Sequence, residues 1–165
     1  MSEKFSVLFV CHGNICRSPM AEGVFRHLVA EAGLSDSILV DSAATADLDV
    51  GDPPDLRATQ TAEAHGVDLT GTARQVGPAD LRDFTHVLAM DRGNLEDLER
   101  LREGAGGDAV LCLLREFDPE GGPGAEVPDP YYGGPQDFEE VFQMVKRSGE
   151  QLLQQLLRDL PSSPG

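Results

Sequence analysis

The 165-residue sequence contains no tryptophan and few cationic side chains. It has 13 lysine and arginine residues against 29 aspartate and glutamate residues, which gives a formal net charge of −16 at pH 7. Nucleic acids bind surfaces rich in lysine and arginine, because these side chains neutralise the phosphate backbone. The charge therefore argues against a nucleic-acid partner. Any anionic ligand must bind a local cluster of donors, against the field of the whole chain.

Long apolar segments are also missing. No stretch approaches the roughly 20 consecutive apolar residues that a membrane-spanning helix needs. Residues 1–4 carry mixed charges, and the apolar run that follows them is too short for a secretion signal. We therefore expect no membrane partner and a cytoplasmic location.

Cysteine is scarce too, with only Cys11, Cys16 and Cys112. An odd number of cysteines without a secretion signal does not indicate a framework of structural disulfides. Cys11, His12 and Cys16 lie close together, but zinc sites need four ligands and no second pair follows at a matching spacing. We therefore expect no metal and no organic cofactor.

Strand and helix patterns alternate along the chain. Short apolar runs predict strands at residues 5–10, 38–40, 85–89 and 109–114, the first and last of them buried. Helical spacing of apolar residues predicts helices at residues 19–32, 55–65, 92–103 and 137–160. This alternation predicts an α/β fold with three layers, α/β/α, around a four-stranded parallel sheet. We expect a single domain over residues 1–160 and a flexible tail at residues 161–165.

The loop after the first predicted strand, residues 11–18 (CHGNICRS), combines residues that favour anion binding. Gly13 and Asn14 tolerate left-handed backbone angles, and such turns point successive N–H groups inward. Ser18 can cap the next helix, whose N-terminus carries a partial positive charge. Arg17 presents a two-pronged donor to a tetrahedral oxyanion. The sequence therefore predicts a phosphate-binding loop at the carboxyl end of the first strand, where ligands bind in parallel sheets.

The same environment gives Cys11 a chemical role. A helix N-terminus and a nearby arginine favour the thiolate form of a cysteine, which is the nucleophilic form. The loop therefore predicts that the thiol attacks a phosphate held by Arg17. The plainer interpretation, a buried core cysteine beside a surface arginine, leaves the combination of glycine, asparagine, arginine and Ser-Pro unexplained. The GxxxxGK[ST] pattern of nucleotide-binding loops is absent.

Release of a phenolate would require a proton, because tyrosine has a pKa of about 10. A carboxylic acid is therefore expected to face the loop. Asp129 lies between two prolines in VPDPYYGG, a polar segment long enough to fold over a site. Asp-Pro pairs are also common in ordinary turns. Other carboxylates, Asp91 and Asp41 among them, remain alternatives at this point.

Several segments together resemble the low-molecular-weight protein tyrosine phosphatases. The C-x5-R-S pattern lies in CHGNICRSPMAE (residues 11–22). Further similar blocks follow in order: DSAATADLDVGDPPDLRA (41–58), ARQV (73–76), AMDRGNLEDL (89–98) and DPYYGG (129–134). The resemblance covers nearly the whole chain. It implies a cysteine-dependent phosphomonoester hydrolase, an acid phosphatase that acts on tyrosine-phosphorylated protein or a small aryl phosphate.

The resemblance also implies a role for each matching position. Cys11 would become phosphocysteine, Arg17 would bind the phosphoryl oxygens, and Asp129 would act first as general acid and then as general base. The phosphate-binding loop would further contain His12, Gly13, Asn14, Ile15, Cys16 and Ser18, with Asn14 holding its shape and Ser18 donating to the thiolate. The substrate cleft would be bordered by Leu48, Tyr131 and Tyr132.

Two interpretations of Cys16 stay open. The resemblance implies a reversible disulfide with Cys11 that protects the thiolate from irreversible oxidation. The alternative is an inert thiol in the loop.

The sequence departs from the family pattern at two places. Leu48 stands where many relatives carry tryptophan or tyrosine, so it offers an apolar contact without ring stacking. Gly71 stands where animal relatives carry a histidine that supports the loop asparagine. Near the same cleft, Asp47, Asp49 and Asp52 should disfavour acidic peptides.

Three other functions are compatible with a phosphate-binding loop of this kind. An arsenate reductase on the same scaffold would need two further cysteines, and only Cys112 is available, in a predicted core strand. A protein-arginine phosphatase would tend to carry threonine in place of Ile15, which offers no hydrogen bond to a guanidinium. A non-catalytic phosphate-binding module would be expected to lack the nucleophile or the acid. If the protein is a phosphatase, inorganic phosphate, arsenate and vanadate should act as competitive oxyanions, because the loop binds them.

Overall fold

The computed structural model describes residues 4–160 and shows a four-stranded parallel sheet, which confirms the predicted α/β fold class. The strands are β1 (Phe5–Cys11), β2 (Ile38–Ala44), β3 (His86–Ala89) and β4 (Val110–Leu113). Their order in the sheet is β2-β1-β3-β4. The strand β1 is therefore central, and Cys11 lies at its carboxyl end. The tail predicted at residues 161–165 lies outside the described residues.

Five helices cover the two faces of the sheet. They are α1 (Arg17–Glu31), α2 (Leu56–Ala64), α3 (Pro78–Asp83), α4 (Arg92–Ala105) and α5 (Pro135–Asp159), with a short 3-10 helix at Leu114–Phe117. Successive residues of β1 point to opposite faces of the sheet, as expected for a pleated strand. Val7 and Phe9 pack with α1, α2 and α5, whereas Leu8 and Val10 pack with α3 and α4. None of the helices found between residues 4 and 160 is long and apolar enough to cross a bilayer.

The last strand corrects one prediction. Residues 109–114 were expected to form a buried strand, but β4 is the outer strand beside β3, and Val110 is 48% exposed. Leu114 already belongs to the 3-10 helix, and Cys112 is only partly buried. An apolar run in a sequence does not distinguish an edge strand from a central one, because both kinds of strand pack against a hydrophobic core.

Local chemistry explains the other differences. The helix α3 was not predicted, since only Leu81 among its six residues is buried and so short a segment shows no period. The strand β2 continues past the predicted residue 40 to Ala44, through the polar residues Asp41 and Ser42. That extension carries Ser42 to the back of the phosphate-binding loop.

Candidate active site

Three carbonyl groups of the loop between β1 and α1 accept hydrogen bonds from the segment that follows β2. The carbonyl oxygens of Cys11 and His12 accept from the N–H groups of Thr45 and Ala46 at 2.9 and 3.1 Å. The Ile15 carbonyl accepts from Asp55 N–H at 2.7 Å. Because these carbonyl oxygens are hydrogen-bonded outside the loop, we expect the loop N–H groups to point to its interior, beside the positive end of α1.

Asn14 sets the shape of this loop. Its φ of +59° is the only positive φ of a non-glycine residue between residues 4 and 160. Its side-chain Nδ2 donates to Ser18 Oγ at 2.8 Å and to Ser42 Oγ at 2.9 Å, and its Oδ1 accepts from Arg74 N–H at 3.1 Å. These three bonds offset the cost of the left-handed conformation. Of the two loop residues that tolerate left-handed angles, only Asn14 adopts a positive φ.

The donor and the acceptor can be assigned for each hydrogen bond behind the loop. An amide NH₂ can only donate, so the hydroxyls of Ser18 and Ser42 both accept from Asn14. The single proton of Ser18 then remains for Cys11 Sγ, 3.0 Å away, and the single proton of Ser42 goes to the carboxylate of Glu22. The sulfur also accepts from Asn14 N–H at 3.2 Å. Two hydrogen-bond donors therefore converge on Cys11 Sγ.

This network also corrects the expected helix cap. The helix α1 begins at Arg17, its N-cap residue is Cys16, and no side chain caps it. Ser18 lies inside the first turn, where its hydroxyl is already used by Cys11 and Asn14. Sequence analysis assigned no role to Ser42, Glu22 or Arg74, although each lies in one of the segments that resemble the family.

The other two cysteines both have a thiol of raised pKa. Burial, with the nearby charges of Asp55 and of Cys11, raises the pKa of the Cys16 thiol to about 12. Burial and the charge of Glu116 raise the pKa of Cys112 to about 11. Both groups stay protonated at neutral pH. The disulfide between Cys16 and Cys11 that the resemblance implies stays a prediction, and the structure holds both thiols free.

Arg17 is held from behind by α4 and by the segment before Asp129. Its side chain is only 3% exposed; Nη1 donates to Asp91 Oδ2 at 2.7 Å and to the Val127 carbonyl at 3.0 Å. The second nitrogen, Nη2, lies 3.9 Å from Asp129 Oδ2. Asp91 itself caps α4 by accepting from Asn94 N–H at 2.8 Å. The guanidinium is thus oriented by a fixed carboxylate.

A cavity of about 330 Å³ opens above Cys11. It is lined by Cys11, His12, Gly13, Ile15, Cys16, Arg17, Leu48, Asp49, Asp129, Tyr131 and Tyr132. Of the predicted site residues only Asn14 and Ser18 are absent from this lining, and their side chains belong to the hydrogen-bond network behind the loop. Among the candidate acids, Asp129 is half exposed and faces the cavity, whereas Asp91 holds Arg17 and Asp41 pairs with Arg74. Within residues 4–160, no group of three or more potential ligand side chains could hold a metal ion.

The family model of the low molecular weight phosphotyrosine protein phosphatases matches residues 6–162. The chain belongs to this family. The phosphatase of that name from Homo sapiens is 44% identical over 143 residues, which cover 86% of this chain and 89% of the relative. The crystal structure of YfkJ from Bacillus subtilis superposes with a TM-score of 0.87 at 39% identity, covering 97% and 99% of the two chains. The crystal structure of DARP, named a Drosophila arginine phosphatase, superposes with a TM-score of 0.85 at 34% identity, covering 91% of this chain and 96% of the other.

In this low molecular weight phosphatase the rim of the cavity is largely apolar and exposed. Leu48, Tyr131 and Tyr132 line it, and the two tyrosine rings lie 5.0 Å apart, edge to face. Tyr132 is 95% exposed. The guanidinium of Arg57, which does not line the cavity, lies 5.3 Å from the Tyr131 ring centroid and supports that ring. These side chains offer apolar surface to an aromatic substrate group.

Proposed function

We propose that this protein hydrolyses phosphotyrosine in proteins through a phosphocysteine intermediate on Cys11. The observation that carries the proposal is the convergence of Asn14 N–H and the Ser18 hydroxyl on Cys11 Sγ, at the floor of a cavity that Arg17 and Asp129 also line. A thiolate, an anion-binding loop and a carboxyl group are the three parts that this reaction needs.

In the first step, the loop N–H groups and Arg17 hold the phosphoryl oxygens, and the thiolate attacks phosphorus from below. The bond between phosphorus and the phenolic oxygen breaks as the sulfur–phosphorus bond forms. Asp129 gives its proton to the departing oxygen, so that tyrosine leaves as a neutral phenol. The half-exposed position of Asp129 at the mouth of the cavity supports this role.

In the second step, the Asp129 carboxylate takes a proton from water, and the water oxygen attacks phosphorus. The sulfur–phosphorus bond breaks, inorganic phosphate leaves, and Cys11 is again a thiolate. Phosphate, arsenate and vanadate should compete with substrate, because the loop binds any tetrahedral oxyanion. The cytoplasmic location expected from the sequence stays a prediction.

The lining of the cavity favours phosphotyrosine over the alternatives. Ile15 lines the cavity and gives a guanidinium no hydrogen-bond partner, whereas it suits an aromatic ring. Cys112 lies on the outer strand β4 and does not line the cavity, so the structure offers no relay for arsenate reduction. The similarity to DARP, named an arginine phosphatase, makes phosphoarginine the competitor that an experiment must address.

A comparison of three phosphorylated substrates tests the proposal. We expect kcat/KM for a phosphotyrosine peptide to exceed that for the matched N-phosphoarginine peptide by at least about tenfold, with phosphoserine lower still. The variant Ile15→Thr should narrow the ratio between phosphotyrosine and phosphoarginine. A wild-type preference for phosphoarginine would overturn the proposed substrate, and no turnover by the fully reduced protein would overturn the proposed activity.

Asp129→Asn should slow hydrolysis in a way that depends on the leaving group. For phenyl phosphate we expect kcat to fall by about 10²–10³-fold, because the leaving phenolate no longer receives a proton. For p-nitrophenyl phosphate, whose phenol is far more acidic, the loss should be smaller. Asp91→Asn is the matched control: it loosens Arg17 and should slow both substrates alike. Equal losses in Asp129→Asn would contradict the assignment of the acid.

A further inference from the structure

Three aspartates of the segment after β2 look equivalent in the sequence, but the structure separates them. Asp49 lines the cavity above Cys11, whereas Asp47 and Asp52 are exposed and lie outside its lining. The Asp49 carboxylate reaches over the loop at Gly13: a Cβ built on Gly13 would lie 2.7 Å from Asp49 Oδ2. The missing side chain of Gly13 therefore leaves the space that this carboxylate occupies.

No described cation neutralises Asp49. Other carboxylates near the site are paired: Asp91 with Arg17, Asp55 with Arg57, and Asp41 with Arg74. Across residues 4–160, no lysine, arginine or histidine nitrogen comes within 4.0 Å of Asp49. Asp49 therefore places an uncompensated negative charge at the entrance to a site that binds a phosphate dianion.

This charge works against every phosphorylated substrate unless the substrate brings a cation with it. A lysine or arginine beside the phosphotyrosine can approach the Asp49 carboxylate while the ring contacts Leu48, its neighbour in the chain. An acidic residue in the same place meets like charge at short range. Burial strengthens the effect, because Asp49 is partly shielded from solvent while Asp47 and Asp52 are not.

We propose that Asp49 is a specificity-determining residue that selects phosphotyrosine flanked by lysine or arginine. The inference rests on the proposed function and adds the substrate class. Asp49 acts on the residues around the phosphotyrosine, so its effect should appear in the ratio between peptides. A small aryl phosphate brings no cation, so the variant Asp49→Asn should hydrolyse it at least as fast as the wild type does. The overall negative charge of the protein raises the encounter rate with the same basic peptides.

The test uses three phosphotyrosine peptides that differ only in the two flanking residues: lysine, glutamine or glutamate on both sides. For the wild type we expect kcat/KM to decrease in that order, with the lysine peptide about tenfold better than the glutamate peptide. In Asp49→Asn the ratio should fall to about threefold, the remainder coming from the net charge of the protein. Asp47→Asn removes the same formal charge two residues away and should keep the wild-type ratio.

Two results would overturn the inference while the proposed function stands: a ratio in Asp49→Asn equal to that of the wild type, or the same decrease in Asp47→Asn. Hydrolysis of p-nitrophenyl phosphate by each variant, with its thermal unfolding midpoint, shows whether the loop has kept its shape. If the wild type hydrolyses none of the three peptides but does hydrolyse p-nitrophenyl phosphate, both the phosphotyrosine assignment and the role of Asp49 fail.

Discussion

Replacing Cys11 with serine is expected to lower kcat for p-nitrophenyl phosphate by at least about 10⁴-fold. Serine is nearly isosteric, and it keeps the hydrogen bonds from Asn14 N–H and the Ser18 hydroxyl, so the site should fold as before. An alcohol, however, is barely ionised in the environment that suffices to ionise a thiol, and it is a poorer nucleophile. The measurement is steady-state turnover at mildly acidic pH, under reducing conditions.

The remaining cysteines supply the controls for this prediction. Cys112→Ser should retain near wild-type kcat, because that residue lies on β4 away from the cavity. Iodoacetate at neutral pH should modify Cys11 well before Cys16, since burial raises the pKa of the Cys16 thiol to about 12. Phosphate in the buffer should slow this modification by occupying the loop. Substantial turnover by Cys11→Ser, or first labelling at Cys16, would contradict the assignment of the nucleophile.

Arg17→Lys is expected to cost about 10³-fold in kcat, although the positive charge is kept. The guanidinium is fixed in orientation by Asp91 and the Val127 carbonyl, so that its other nitrogen is available to phosphoryl oxygens. An ammonium cannot hold the carboxylate, the carbonyl and two phosphoryl oxygens in one planar arrangement. Inhibition by arsenate should weaken in the same variant. Both effects are measured with p-nitrophenyl phosphate.

Loss of fold must be separated from loss of catalysis, because Arg17 is buried and paired with Asp91. Arg147→Lys is the matched control: Arg147 also donates to a carboxylate, through two nitrogens to the buried Asp118, but it lies outside the cavity. Both variants should unfold at a lower temperature, and only Arg17→Lys should lose turnover. If Arg17→Lys stays folded and keeps its kcat, the role given to the guanidinium is wrong.

The sequence identified the loop because the chemistry there depends on residue types at fixed spacing. A thiol at a strand end, a residue that tolerates positive φ, and an arginine at a helix start lie close together in the chain, so no long-range contact is needed to predict them. The alternation of strand and helix patterns along the chain predicts the fold class in the same way, from local signals. The similar blocks, which follow one another in order, predict the family.

The missed features depend on contacts between distant segments. Local pattern favours Asp129 only by its flanking prolines, and the fold separates it from the other two candidates: Asp91 is hydrogen-bonded to Arg17, Asp41 pairs with Arg74, and Asp129 faces the cavity. Ser18 is a good capping residue by type, but the neighbouring Asn14 and Cys11 engage its hydroxyl first. In the same way, the exposure of β4 depends on the absence of a further strand beside it. Local pattern carries none of this information.

The one-way hydrogen bonds behind the loop have a consequence for the second half of the proposed cycle. When phosphocysteine forms, the sulfur gives up its negative charge, and the donors from Ser18 and Asn14 lose their charged acceptor. They stay aimed at the sulfur, because the Ser18 hydroxyl accepts from Asn14 Nδ2 and so keeps its proton for the sulfur, and the Asn14 N–H is fixed by the backbone. As water attacks, the charge returns to a sulfur that is already solvated by the protein. The donors that prepare a nucleophile thus also make the same atom a good leaving group.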